Sequence, residues 1–261
     1  MPSYRYPPVG FPLSRAELRK ELQKGPLYEF LDYQTRDMFT TFDDFGGDTI
    51  NLDMYAVANG AGSGAASFAI TVAEDGWIRA TTGTAADDTT TCSLIGPKNY
   101  YGDRNCGIEM RVRPITAVTE TRIELGFVDV VPGSNKPVVN SLTTPSVNTS
   151  VVDAALFVYD NASSTTTTEL VTIGGSITAA KTAITMPTAV TAATAFTVRI
   201  QVLANRVTCW IDGARVASHD TGATDYIEGG NAVAPFALIR ASNATSKSLD
   251  IDYIRTWKER N

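Results

Sequence analysis

Arg206-Val207-Thr208-Cys209-Trp210-Ile211, then Asp212-Gly213, then Ala214-Arg215-Val216-Ala217 is the stretch on which the fold turns. Two alternating apolar and polar runs flank an Asp-Gly pair, the dipeptide that best tolerates the positive φ angles of a two-residue hairpin turn. Such a hairpin belongs to an antiparallel sheet. Working outward from it, similar short runs occupy 66–72, 76–82, 106–114, 122–131, 154–159, 196–203, 234–241 and 248–258, with Gly, Asn, Asp and Pro between them. Ten or so strands in this pattern predict an all-β protein, an antiparallel jelly-roll β-sandwich. The Thr- and Ala-rich stretch 163–197 carries little charge and reads as weakly patterned strands and long loops, with Leu170–Ile173 and 176–178 about Gly174-Gly175.

Composition agrees. The 261 residues include about 34 threonines and 20 glycines, 43% are hydrophobic and only 19% charged, which suits strands, turns and one large core. A net charge of -6 without a Lys/Arg cluster excludes a nucleic-acid partner. No apolar run is long enough to span a bilayer, so no membrane partner is expected, and the first residues lack the apolar core of an export signal. Cys92, Cys106 and Cys209 are widely spaced and suggest buried thiols instead of a disulfide framework or zinc site. The single His219 leaves little room for His-dependent nucleophile activation.

Residues 1–38 differ from 39–261 and read as a separate unit, carrying eleven charged residues. Ser14 and Glu17 form a capping box, Leu13 and Leu18 a hydrophobic staple, and Gly25-Pro26 a stop, which predicts one short helix. Leu27, Phe30, Leu31, Gln34 and Met38 predict a second. With the Pro-rich lead before them, these form an extended N-terminal arm and two short helices whose apolar stripes need a partner, either the chain's own β core or a neighbouring subunit.

Beyond these patterns, several pieces taken in order resemble the concanavalin A-like lectin/glucanase sandwich, which includes laminin-G-like domains. They are Phe42-Asp43-Asp44-Phe45-Gly46-Gly47, Glu109-Met110-Arg111-Val112, Leu125-Gly126-Phe127, Trp210-Ile211-Asp212-Gly213 and the closing Ile251-Asp252-Tyr253-Ile254-Arg255-Thr256-Trp257. In laminarinase-type relatives a Glu-x-Asp-x-Glu run on one strand face supplies the catalytic carboxylates. No such run occurs here. Glu120 and Glu124 come nearest, with Arg122 between them expected to depress the acid that must stay protonated, so the resemblance implies a fold without its hydrolase chemistry, no catalytic residues and no enzyme.

The same resemblance implies a structural calcium at Asp44 and Asp252, against the alternative that Asp44 caps a turn and Asp252 points outward; no cofactor is otherwise required. Trp77, Trp210 and Trp257 fall in alternating runs where core packing is the default, whereas Tyr100 and Tyr101, in an expected loop, are candidate glycan contacts.

The charged arm followed by the sandwich also resembles uncharacterised structural proteins of tailed-bacteriophage virions. That resemblance implies a capsid decoration or cement protein on the outer surface of the capsid, made in the host cytoplasm and likewise non-enzymatic. Tyr4, Tyr6, Phe11, Leu18, Leu22 and Phe30 would form the docking interface, with the major capsid protein or other virion proteins as partners and a homo-oligomer as the expected state. The alternative is a carbohydrate-binding module of a phage tail or fibre that recognises host glycans.

Overall fold

The computed structural model describes residues 38–47, 49–59, 66–71, 76–84, 91–130, 136–142, 146–161, 166–174, 182–186, 190–220, 227 and 230–259. The chain divides into two units, Met1–Met38 and Phe39–Asn261. The two short helices, the arm and all six expected docking residues lie outside the described residues. Met38, expected on the second helix, opens a strand instead.

The strands run in chain order as β1 (Met38–Asp43), β2 (Ala56–Asn59), β3 (Ser67–Ile70), β4 (Ile78–Thr81), β5 (Thr91–Ile95), β6 (Tyr100–Tyr101), β7 (Cys106–Pro114), β8 (Thr121–Val128) and β9 (Val139–Ser141). They continue as β10 (Ser146–Val147), β11 (Ala154–Asp160), β12 (Thr167–Ile173), β13 (Thr182–Thr185), β14 (Phe196–Leu203), β15 (Arg206–Ile211), β16 (Ala214–Asp220), β17 (Ala232–Ala241) and β18 (Ser248–Glu259). Among the described residues they form two large antiparallel sheets. Sheet I has the order β16-β15-β14-β7-β18-β4-β3 with β1 on β18, and sheet II the order β13-β12-β11-β8-β17-β5-β2 with β6 on β17. The expected all-β antiparallel sandwich is present, with neighbouring strands drawn from distant parts of the chain as a jelly-roll requires.

The hairpin at 206–217 forms as the sequence predicts. Asp212 and Gly213 both take positive φ (49° and 77°), and the Asp212 carboxylate accepts the Thr197 N–H at 2.8 Å. Between the sheets lies the main core. Sheet I contributes Ile108, Met110, Val112, Val198, Ile200, Leu249 and Ile251, and sheet II contributes Ile123, Leu125, Phe127, Phe157, Tyr159 and Ile239.

The two sheets differ on their outer faces. In sheet I, β14 alternates buried and half-buried residues along its length, as a strand with one solvated face does. In sheet II, every residue of β8 and β11 is buried. The covering layer comes from the connection between those two strands. Val138, Val139, Leu142 and Val151 pack with Leu156, Val158, Val171, Ile173, Phe236 and Leu238 in a second apolar cluster on the outside of sheet II. Within the connection, β9 and β10 pair as a small hairpin.

Candidate functional site

Beneath that covering layer, sheet II carries two cross-strand rows that include charged side chains. Strand pairing sets Arg240, Arg122, Asp160 and Thr167 side by side on β17, β8, β11 and β12. The neighbouring row on the same face is Leu238, Glu124, Val158 and Glu169. Alternation explains the placement: Ile123, Leu125 and Phe127 turn into the main core, so Arg122 and Glu124 must turn outward. Glu124 is 0% exposed and Arg122 3%, and Asp160 and Glu169 are also buried.

Each of these charges is held. Both Glu124 carboxylate oxygens are used, Oε2 accepting the Val138 N–H at 2.8 Å and Oε1 the Val139 N–H at 3.0 Å. The Arg122 guanidinium pairs with the Asp160 carboxylate and donates to the Val139 and Asn140 carbonyls. Burial pushes the Glu124 carboxyl up from an ordinary 4.5 to about 7, outweighing the Arg122 charge and the two backbone N–H groups that favour the anion. Arg122 does favour the anion, as expected, but desolvation is the larger effect and the net shift is upward. Glu120 does not join the site: it sits in the turn before β8 at φ 54° and accepts from the Asn243 side chain.

Sequence reasoning named Glu124 only together with Glu120, as the nearest approach to a carboxylate run and with Arg122 counting against it, and did not name Asp160, Glu169 or Arg240. The available signal was a charged residue ending or interrupting an otherwise apolar or Thr-rich strand, as in Ala-Ala-Leu-Phe-Val-Tyr-Asp of β11.

The other candidates lie elsewhere. Tyr100 is fully buried, its ring 5.3 Å from that of Phe127 and its hydroxyl hydrogen-bonded to Thr256. It belongs to the core and not to an exposed glycan contact, because β6 pairs with β17 and draws it inward. Tyr101 is half-buried beneath the Arg104 guanidinium, 4.5 Å from its ring centre.

Asp44 accepts the Gly46 N–H at 3.3 Å, and Asp252 pairs with Arg111 at 2.6 Å. Each carboxylate thus has a protein partner, Asp44 within its own turn and Asp252 across to β7. Among the described residues no three His, Cys, Asp or Glu side chains gather to hold a metal ion. His219 bridges the sheets, with Nδ1 2.7 Å from the Thr172 hydroxyl.

All three tryptophans lie outside both apolar clusters. Arg113 lies 4.4 Å from the Trp77 ring centre, and Arg199 lies 5.2 Å from that of Trp210 and 5.1 Å from that of Trp257. The registers of β7, β14, β15 and β18 set Arg113, Arg199, Trp210 and Trp257 on the outer face of sheet I. Trp77 and Trp257 are buried there, and Trp210 is half-buried.

No family model and no curated protein matches the sequence. Solved structures do match the fold. The carbohydrate recognition domain of Emp47p aligns with a TM-score of 0.56 at 10% identity, covering 86% of this chain and 98% of that one. A protein of unknown function from Shewanella oneidensis MR-1 aligns at 0.55 and 13% identity, covering 97% of each chain. The β-glucanase of Bacillus licheniformis aligns at 0.53 and 13% identity, covering 87% of this chain and all (100%) of that one.

The chain therefore shares its antiparallel jelly-roll sandwich fold with these lectin-like and glycoside hydrolase structures. The expectation that it is not an enzyme is corrected: the β-glucanase, further glycoside hydrolases and a transglycosylase share this fold. The expectation rested on a missing carboxylate run along one strand, whereas the buried carboxylates of sheet II are spread over three strands. Neither the fold nor the comparisons show a virion role, and its six expected docking residues lie outside the described residues.

Proposed function

We propose that this protein binds carbohydrate, with the outer face of sheet II around Glu124 as its glycan site. The observation that carries this reading is the buried set Arg122, Glu124 and Asp160 on the sheet's central strands, with the Arg122 Nε left without a hydrogen-bond partner among the described residues. Burying guanidinium and carboxylate groups costs several kcal/mol of desolvation that an apolar face would avoid, so such a set points to a site. Its chemistry suits a sugar: carboxylates accept from hydroxyl groups, and a guanidinium donates to hydroxyl and ring oxygens. The shared fold with a carbohydrate recognition domain supports the same reading. A glycan array followed by calorimetric titration tests it. Saturable binding by the wild type, lost in Glu124→Gln with an unchanged circular dichroism spectrum, is expected; an array without any binding overturns it.

A second reading, glycoside cleavage at the same place, is favoured by one observation: the Glu124 carboxyl, raised to about 7, holds its proton near neutrality as a general acid must. Glu169 lies in the same row two strands away, about 10 Å between Cα atoms. Release of reducing ends from β-glucans, abolished by Glu124→Gln, is the expected result; binding without turnover removes this second reading.

A further inference from the structure

We infer that the segment 136–142 is an internal stand-in for the glycan, so that docking of this segment and binding of sugar exclude one another. The inference rests on the carbohydrate reading above and adds its regulation. Val138 and Val139 present two adjacent N–H donors to the two oxygens of Glu124, at 2.8 and 3.0 Å. On the same side, the carbonyls of Val139 and Asn140 accept from Arg122. Paired donors on a carboxylate beside oxygens on a guanidinium form the pattern that neighbouring hydroxyl groups of a pyranose offer to the same two side chains.

The segment holds its place by apolar contacts as well. Val138, Val139 and Leu142 pack in the cluster with Leu156, Val158 and Leu238. Buried Glu124 and Arg122 cannot be left dry and unpartnered. Whatever displaces the segment must supply the same donors and acceptors, and a polyol does. Glycan then binds only molecules in which the segment is undocked, and the apparent dissociation constant is the intrinsic one divided by that fraction.

The test uses the full chain with soluble mixed-linkage β-glucan as the probe. Hydrogen exchange at the Val138 and Val139 amides should speed up on saturation with β-glucan, while amides of β14 in sheet I keep their protection. Leu142→Ala, which removes an apolar contact of the segment and leaves every charged side chain in place, should bind β-glucan about tenfold or more tightly than the wild type, because its open fraction is larger. Wild-type binding with equal affinity in the variant and unchanged protection at Val138 and Val139 overturns the inference and leaves the carbohydrate reading standing. Failure of both proteins to bind overturns both. Where Leu142→Ala does not fold, the exchange experiment on the wild type decides.

Discussion

Replacing Glu124 by glutamine separates the cost of burying its charge from the worth of its hydrogen bonds. The carboxyl is raised in the folded protein from an ordinary 4.5 to about 7. The folded state therefore binds this proton more tightly than the unfolded chain does. The resulting stabilisation is fully present below about pH 4.5 and is lost as pH rises through about 7. A difference of this size corresponds to about 3 kcal/mol. In a domain of this length that is roughly 6 to 12 °C of melting temperature.

Glutamine cannot ionise, so the variant lacks that pH-dependent loss. It pays instead a cost of about 1–3 kcal/mol at every pH, because its amide nitrogen faces one of the two N–H groups that the carboxylate accepts. Near pH 4.5 the variant should melt below the wild type, and by about pH 8.5 the gap should close or reverse. Urea or thermal unfolding followed by circular dichroism across that range reads both quantities. A stability difference that stays constant with pH would refute the reasoning, since it would mean that Glu124 ionises in the folded state as it does in the unfolded chain.

Three further outcomes follow from the packing. At Gly107 an added Cβ would lie 2.0 Å from Cζ2 of Trp257, so Gly107→Ala must displace the indole; a loss of about 1–3 kcal/mol is expected, with a shifted tryptophan emission maximum. Unchanged emission and stability would show that the ring has room. Burial pushes the thiols of Cys92, Cys106 and Cys209 up to about 12, so the native protein should not react with a disulfide reagent near pH 8 until denaturant is added. Asp250 is fully buried and accepts from Arg79 at 2.7 and 3.0 Å and from Arg113 at 3.0 Å. Removing one donor with Arg79→Ala should cost about 1–3 kcal/mol, and an unaltered midpoint in urea would show that Arg113 alone suffices.

The residues that were legible in the sequence are those whose side-chain pattern is local. β7, β14 and β15 have the expected bounds, and the Asp212-Gly213 turn has the positive φ angles that its composition demands. β2, β5 and β13 were not legible: they are four or five residues long, Ala56–Asn59 has one β-branched residue, and Thr182–Thr185 lacks apolar-polar alternation. The tryptophans were legible in part: Trp77 and Trp257 are buried, as their alternating runs predict. Alternation shows that Trp210 and Cys209 face opposite ways without showing which way is inward, and Arg199 covers the half-buried Trp210 from the outer face.

The sequence by itself determined the all-β class and the antiparallel sandwich, because period-two alternation and turn chemistry act between residues a few positions apart. It also put Glu120, Arg122 and Glu124 at alternating positions of one strand, as a carboxylate pair interrupted by an arginine. Only the tertiary structure decided what Arg122 and Glu124 do. A polar residue on the outward side of a strand reads as solvated unless a distant segment covers it, and here 136–142 folds back over β8 to engage both side chains. Desolvation then outweighs the lowering effect of Arg122 on Glu124, and strand pairing brings Asp160 and Glu169 alongside from β11 and β12. Neither burial nor cross-strand neighbours are properties of one strand, so neither was available before the sheets were assembled.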